Sequence, residues 1–238
     1  MSGYAVTAQF YDPFAAATHG AVDGRIAAAL GGFDTGAGPI VDIGAGTGLS
    51  TSLIASILPD AEIVAIEPDA SMRAALMTRI WACPDLRGRV TIMPFHILEA
   101  PLPDTISGAV LSASLVHLGP RERARLWSLL GERLTRNGRI IVEVQCPQAE
   151  DLAEFSMPSV EVGRMTYSAS AAAQRIGSDR QRWRMTYRAY LGSDEVARET
   201  ATYDCWTISA DRILEEAACA GLAGRAADDL VVLGPGNS

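Results

Sequence analysis

The stretch "VDIGAGTGLSTSLIASILPDAEIVAIEPDASM", residues 41–72, places three glycines between a short apolar run and an amphipathic segment. Glycine has no Cβ, so Gly44, Gly46 and Gly48 let the backbone turn sharply and approach a ligand closely. A helix that begins at Leu49 would direct unpaired backbone amides toward that ligand. The pattern predicts a strand, a ligand-binding loop and a helix.

The spacing of the glycines and the acid before them distinguish two kinds of ligand. Dinucleotide-binding loops have the spacing G-x-G-x-x-G, which Leu49 interrupts here. The carboxylate of Asp42 would repel a pyrophosphate, but it suits a cationic amino-acid group or the ordering of the loop's own amides. Glu67 follows the second apolar run, where a carboxylate can accept hydrogen bonds from both hydroxyls of a ribose. These residues favour a cationic amino-acid nucleoside over a nicotinamide dinucleotide.

Short apolar runs alternate with amphipathic segments between about residues 40 and 145. The runs that read as buried strands are "PIVDIG", "AEIVAIEP", "RVTIMPF", "GAVLSAS" and "GRIIVEVQ". Between the last two runs, Leu126, Leu129, Leu130 and Leu134 follow helical spacing. This alternation predicts an α/β fold in which helices cover both faces of a mostly parallel sheet. Ligands of such sheets lie beyond the carboxyl ends of the strands.

The chain is short enough for a single domain over residues 1–238, because one core can grow to roughly 250 residues. An N-terminal helical lid is expected first, with a break near Asp12-Pro13 and an end at Gly31-Gly32. Alternating β-forming residues later in the chain predict an antiparallel insertion. The expected segments are the lid (1–38), the ligand-binding core (39–147), the insertion (158–207) and a final helix and strand (208–238).

Five stretches within residues 40–145 resemble, in order, the motifs of class I S-adenosylmethionine-dependent methyltransferases of the small-molecule, natural-product type. The stretches are "VDIGAGTG", "VAIEPDASM", "RVTIMPFHILEAPLPD", "GAVLSASLVHL" and "GRIIVEV". The resemblance implies a Rossmann-like fold with a seven-stranded, mostly parallel sheet whose last strand is antiparallel. It also implies S-adenosylmethionine as cofactor, S-adenosylhomocysteine as product, and no metal.

Carried onto this sequence, the family's motifs imply a set of cofactor contacts. The loop would hold the methionine part, Glu67 the ribose, and Pro68 and Met72 the adenine. The implied contacts are Tyr11, Asp42, Gly44, Ala45, Gly46, Gly48, Glu67, Pro68, Met72, His96, Ile97 and Ser112.

Two of these contacts have alternatives. The family usually has a Gly-Asp or similar polar pair where this chain has Phe95-His96, so His96 and the backbone of Ile97 would bind the adenine; otherwise His96 is a solvated loop residue. Tyr11, in "QFYDPF", would touch the carboxylate or sulfonium end of the cofactor, or would be a half-buried residue at a helix end.

The reaction implied by the resemblance is an in-line displacement at an activated methyl group, in which alignment supplies much of the acceleration. His117 follows the fourth apolar run and titrates near neutral pH, which makes it a candidate general base. It could instead form a wall of the cofactor pocket or be purely structural. His19 is expected to be exposed.

The predicted insertion has more aromatic residues than the core. Alternation in "RWRMTYRAY" places Trp183, Met185 and Tyr187 on one face. This face could cover a substrate, or it could pack the sheet or form the interface of a homodimer. The predicted substrate contacts are His117, Tyr167, Trp183, Tyr187 and Trp206. They suit a small, partly hydrophobic metabolite, as in secondary-metabolite or antibiotic biosynthesis.

Composition excludes several other functions. The formal net charge of −8 gives no basic surface for nucleic acid, and no motif of the base N-methyltransferases follows the fourth run. The four cysteines are scattered, which argues against a metal site or a disulfide framework. No apolar run approaches the roughly 20 residues of a membrane span, so a cytoplasmic enzyme is expected. The alternatives are a protein of this fold that binds S-adenosylmethionine without methylating and, less in keeping with the glycine spacing, a nicotinamide-dependent oxidoreductase.

Overall fold

The computed structural model describes residues 3–18 and 20–236. The expectation that His19 is exposed concerns a residue outside these ranges. The four cysteines, Cys83, Cys146, Cys205 and Cys219, are free thiols.

The larger of two sheets has seven strands. They are β1 (Ile40–Ile43), β2 (Ile63–Ile66), β3 (Val90–Met93), β4 (Ile106–Leu111), β5 (Leu134–Glu143), β11 (Leu222–Ala227) and β12 (Leu230–Pro235). Their spatial order is β11-β12-β5-β4-β1-β2-β3. Strands β1 to β5 are parallel to one another, whereas β12 is antiparallel to β5. The predicted Rossmann-like sheet with an antiparallel last strand is confirmed.

The second sheet is antiparallel. Its strands are β6 (Leu152–Ser156), β7 (Val160–Val162), β8 (Met165–Arg175), β9 (Arg180–Leu191) and β10 (Asp194–Trp206). It begins at Leu152, whereas the sequence pattern predicts an insertion from residue 158. The segment "LAEFS" contains no β-branched residue, and it becomes a strand because it pairs with β8, where Phe155 lies opposite Ala171.

The helices are α1 (Gly3–Thr7), α2 (Tyr11–Thr18), α3 (Gly20–Leu30), α4 (Leu49–Ile57), α5 (Ala70–Ala82), α6 (Pro84–Arg87), α7 (Pro120–Arg133) and α8 (Ala210–Ala218). The predicted helix break near Asp12-Pro13 is wrong, because α2 continues through these two residues and the helical structure is interrupted before it, between α1 and α2. Proline is tolerated in the first turn of a helix, where its missing N–H has no partner to lose. None of the helices in the described ranges combines the length and hydrophobicity needed to cross a lipid bilayer.

Side chains that alternate along β1 pack into two hydrophobic cores. Val41 and Ile43 lie in one core with Leu126 and Trp127 of α7. Ile40 lies in the other core, with the apolar residues of α3, α4 and α5. Because both faces of the sheet are covered, the carboxyl ends of its parallel strands remain as the place where a ligand can bind.

Candidate active site

The loop after β1 requires its glycines. Gly44, Gly46 and Gly48 have φ angles of 71°, 57° and 89°, in the left-handed region that favours glycine. A Cβ added to Gly44 would lie 2.6 Å from the Cβ of Ser114, so a larger residue would displace a neighbouring segment. Gly48 is the N-cap of α4, and it packs against Leu76 rather than facing a ligand.

Asp42 lies under this loop and is fully buried. Its Oδ2 accepts hydrogen bonds from the hydroxyls of Ser50 (2.8 Å) and Thr51 (2.6 Å), at the start of α4. Its Oδ1 has no hydrogen-bond partner among the described residues. Burial raises the pKa of Asp42 to about 6, although the two hydroxyls oppose the shift. Asp42 therefore fixes α4 to β1 through hydroxyls, not through the amides of the loop.

Glu67, the residue after β2, connects the loop to the next helix. Its Oε2 accepts a hydrogen bond from the amide of Gly46 (2.8 Å), and its Oε1 accepts one from the amide of Asp69 (2.7 Å). Burial raises the pKa of Glu67, and these two amide bonds act against the shift. Asp69 in turn accepts from the amides of Ser71 and Met72 and caps α5.

A cavity of about 660 Å³ extends from this loop to the inner face of the second sheet. We call its two halves the loop end, which contains Gly44, Gly46 and Glu67, and the roof end, which contains Trp183, Met185 and Tyr203. The predicted site residues that line it are Tyr11, Gly44, Gly46, Glu67, Pro68, Met72, His96, Ile97, Ser112, His117, Trp183 and Tyr187. The loop and the second sheet, far apart in sequence, thus enclose one space.

Five predicted site residues do not line the cavity: Asp42, Ala45, Gly48, Tyr167 and Trp206. Tyr167 projects from the same face of β8 as Ala169 and Ala171, but it lies nearer the start of the strand and packs edge-on against Phe10. Trp206 follows Cys205 in β10, so its ring leaves the inner face and packs against Gly119 and under Arg180.

The site includes residues that the sequence reasoning missed. Tyr4, Ser114, Cys146, Tyr203 and Cys205 also line the cavity. The period-two alternation that identifies Trp183 and Tyr187 in β9 would also have identified Tyr203 and Cys205 in β10. No comparable signal marks Tyr4, because α1 has only five residues and its position depends on tertiary packing.

Tyr4 and His117 form a polar contact in the roof end. The Tyr4 hydroxyl lies 2.6 Å from Nε2 of His117, and the two rings meet edge to face. His117 belongs to a short helical turn, Leu115–His117, which is separated from the carboxyl end of β4 by residues 112–114. More than a third of His117 is exposed, but protein surrounds the rest of the ring and this burial lowers its pKa. Burial also raises the pKa of Tyr4, so the two side chains are both neutral near pH 7.

The N-terminal helices cover the cavity and are attached at both ends. In α2, Asp12 accepts hydrogen bonds from Thr47 of the loop (2.5 Å) and from the guanidinium of Arg79. Nε of Arg79 also donates to the carbonyl of Thr47 (2.9 Å). In α1, the ring of Tyr4 stacks on Tyr203 with 5.5 Å between the ring centroids.

Among the described residues, no group of histidine, cysteine and acidic side chains could hold a metal ion.

Neither a protein-family model nor a curated protein sequence matches the chain. Solved structures do match it. DesVI from Streptomyces venezuelae is 15% identical, with 98% of each chain covered and a TM-score of 0.79.

Two further structures cover nearly the whole chain. The sugar N-methyltransferase KedS8 from Streptoalloteichus is 19% identical, with a TM-score of 0.72, over 95% of this chain and 93% of that one. CalS10, an amino pentose methyltransferase of calicheamicin biosynthesis from Micromonospora echinaspora, was solved with S-adenosylmethionine bound. It is 16% identical, with a TM-score of 0.74, over 90% of this chain and 89% of that one.

The fold is that of the class I S-adenosylmethionine-dependent methyltransferases. Within this methyltransferase fold, the glycine loop after β1 and the acid after β2 take the positions implied by the sequence motifs. The match includes most of the second sheet, since at least nine tenths of the chain is covered in each comparison.

Proposed function

We propose that this protein transfers the methyl group of S-adenosylmethionine to a small, partly apolar metabolite in natural-product biosynthesis. The observation that carries the proposal is the single cavity, whose loop end suits a nucleoside and whose roof end is mostly aromatic and aliphatic. The two reactants of a methyl transfer must meet in one space, and this cavity joins the loop end to the roof end.

The loop end fits S-adenosylmethionine. Gly46 lines the cavity, and apart from its chain neighbours no atom of the described residues lies closer than 4.0 Å to where its Cβ would be, so a ligand can approach the backbone of the loop closely there. Glu67 has lone pairs beyond its two amide bonds to accept from ribose hydroxyls. Met72 and Ile97 are buried apolar residues that would flank the adenine. When bound, this cofactor supplies an electrophilic methyl group.

The roof end would hold the acceptor. No arginine lines the cavity among the described residues, so a phosphate or other anion would find no cationic partner there. The hydroxyls of Tyr4 and Tyr203 and the imidazole of His117 provide a few polar groups in an otherwise apolar chamber. This combination suits an uncharged ring or an amine.

His117 and Tyr4 would handle the acceptor's proton. An acceptor that gains a methyl group must lose a proton. Neutral His117 can accept it at Nε2, directly or through the Tyr4 hydroxyl. Among O, N, S and C acceptors we favour nitrogen. KedS8 is described as a sugar N-methyltransferase, and another match, MtfA, as a glycopeptide N-methyltransferase (19% identical, TM-score 0.59).

The test begins with calorimetric titration of the purified protein with S-adenosylmethionine, S-adenosylhomocysteine and NAD. Amines and amino sugars would then be screened by mass spectrometry for the addition of one methyl group. Binding of the two sulfur nucleosides but not NAD, with a methylated product, is the expected result. Binding without product for any acceptor would favour the non-methylating alternative, and failure to bind either sulfur nucleoside would refute the proposal.

A further inference from the structure

The turn after β4 has a strained backbone. Ala113 has a φ of 52°, although it is not glycine, and it lies between Ser112 and Ser114 at the carboxyl end of the strand. Residues with a Cβ adopt this left-handed conformation only where their surroundings hold it, and such positions cluster at ligand sites. All three residues line the cavity.

Glu143 holds this turn in place. Its Oε2 accepts hydrogen bonds from the hydroxyl of Ser112 and from the amide of Ala113, both at 2.9 Å. In the register of β4 and β5, Leu111 pairs with Val142. The residues that follow them, Ser112 and Glu143, therefore lie side by side. Glu143 is buried. The hydroxyl of Ser112 is therefore directed to Glu143, not to the cavity.

The held turn places Ser114 against the glycine loop. Its side chain lies where a Cβ of Gly44 would be, and the residue is only 9% exposed. The Oγ atom of Ser114 is buried and has no hydrogen-bond partner among the described residues. A buried hydroxyl without a partner is unfavourable, so a ligand group in the cavity would satisfy it.

Sheet order indicates which ligand group this is. Strand β1 lies between β4 and β2, and Glu67 follows β2 on the side proposed for the ribose. Ser114 follows β4, on the other side of the glycine loop. We propose that the Ser114 hydroxyl binds the amino-acid end of the cofactor and that Glu143 is its positioning residue. This inference depends on the proposed function, since it requires that the cavity binds S-adenosylmethionine.

The test for Ser114 compares two ligands on two serine variants. S-adenosylhomocysteine has the amino-acid end, and methylthioadenosine lacks it. Ser114→Ala is expected to weaken S-adenosylhomocysteine binding about tenfold in calorimetry and to leave methylthioadenosine binding unchanged. Ser107→Ala is the matched control, because Ser107 in β4 is also a buried serine without a hydroxyl partner but does not line the cavity. It should change neither affinity.

Glu143 is tested by a pair of variants of similar size. Glu143→Met removes the acceptor and should weaken S-adenosylhomocysteine binding about as much as Ser114→Ala. Glu143→Gln can still present one oxygen to Ser112 and Ala113 and should restore most of the affinity. Thermal unfolding of each variant checks that it is folded.

Unchanged S-adenosylhomocysteine affinity in Ser114→Ala would overturn the assignment of the hydroxyl. Unchanged affinity in Glu143→Met would overturn the positioning role. Equal losses for both ligands in Ser114→Ala would also contradict the inference, because they would place the serine at the nucleoside. If the unsubstituted protein bound neither ligand, the proposed function itself would fail, which is a different result from loss in one variant.

Discussion

The hydroxyl of Tyr4 and Nε2 of His117 are within hydrogen-bond distance, 2.6 Å, although 113 residues separate them in the chain. Tyr4 comes from the first helix of the lid, and His117 comes from the turn that follows β4. The proposed proton-transfer pair forms only while α1 lies over the cavity. Closure would therefore complete the acceptor site at the same time as it excludes water.

Substitution of this pair should affect turnover more than cofactor binding. His117→Asn removes the proton acceptor and is expected to lower kcat roughly 10²-fold. Tyr4→Phe keeps the ring stacked on Tyr203 and removes the hydroxyl, so its loss should be smaller. Turnover would be measured with the best acceptor from the screen, and S-adenosylhomocysteine affinity by calorimetry. Unchanged kcat in His117→Asn would refute the role of His117 as a base and would favour the alternative that it only lines the pocket.

The pH dependence of the reaction should reflect the lowered pKa of His117. The ordinary value is 6.5, and burial shifts the pKa of this residue below it. Because the neutral form is the base, methyl transfer should persist in buffers more acidic than pH 6.5 and should decline only below the shifted pKa. The rate under saturating cofactor would be followed from pH 5 to 8. A decline centred at the same pH in His117→Asn as in the unsubstituted protein would contradict the assignment, because it would then come from another group, such as an amine of the acceptor.

Glu67→Ala should weaken binding of S-adenosylhomocysteine. The variant loses the proposed ribose contacts and also releases the amides of Gly46 and Asp69. Hydrogen bonds to a charged group contribute about 1.5–3 kcal/mol each, so a loss of at least about tenfold in affinity is expected. Glu62→Ala is the control, since Glu62 is an exposed acid just before the same strand. Equal affinities in the two variants would refute the ribose assignment.

Asp42 should make the folded state less stable as the pH rises. Its pKa is about 6 in the folded protein and 3.8 ordinarily, so the folded state retains a proton that the unfolded chain has released. This contribution is fully present below pH 3.8 and is lost as the pH rises through 6. The free energy of unfolding should therefore contain a decrease on the order of 2 kcal/mol between these values.

Asp42→Asn has no proton to lose, and it keeps an acceptor for Ser50 and Thr51. Urea unfolding at pH 4 and pH 7.5 would measure the difference for both proteins. The decrease should be smaller in Asp42→Asn than in Asp60→Asn, a control at an exposed acid. If the free energy of unfolding depended on pH identically in the two variants, ionisation of Asp42 would not destabilise the folded state.

The sequence predicts the central sheet well because its signals are local. Buried strands such as "IVDI" and the glycines of the loop can be recognised from their own residues, without knowledge of their neighbours in the fold. Strand β11, "LAGRAA", shows no such signal, and it is a strand because it pairs with β12 along its whole length. The same limit applies to β6, which begins the second sheet earlier than its composition indicates.

The hydrogen-bond partner of a polar side chain at the site could not be predicted from the sequence. Ser112 and Asp42 are polar residues next to the loop, but their oxygens bond to Glu143 and to the hydroxyls of α4. Ser114 was missed, although it is the residue left with an unsatisfied hydroxyl in the cavity. A sequence motif shows which loop such residues belong to. Which of them faces the cavity becomes clear only from the hydrogen bonds in the structure.

The two attachments of the lid differ in their physical nature. At α2, the ion pair of Asp12 and Arg79 is partly exposed, so dissolved ions screen it. At the other end, Tyr4 and Phe10 stack on Tyr203 and Tyr187, and sulfate strengthens such apolar contacts. Ammonium sulfate is thus expected to loosen the lid beside the glycine loop while tightening it over the roof end. In this buffer, S-adenosylhomocysteine would be released more easily from the loop end, while the acceptor would stay enclosed at the roof end.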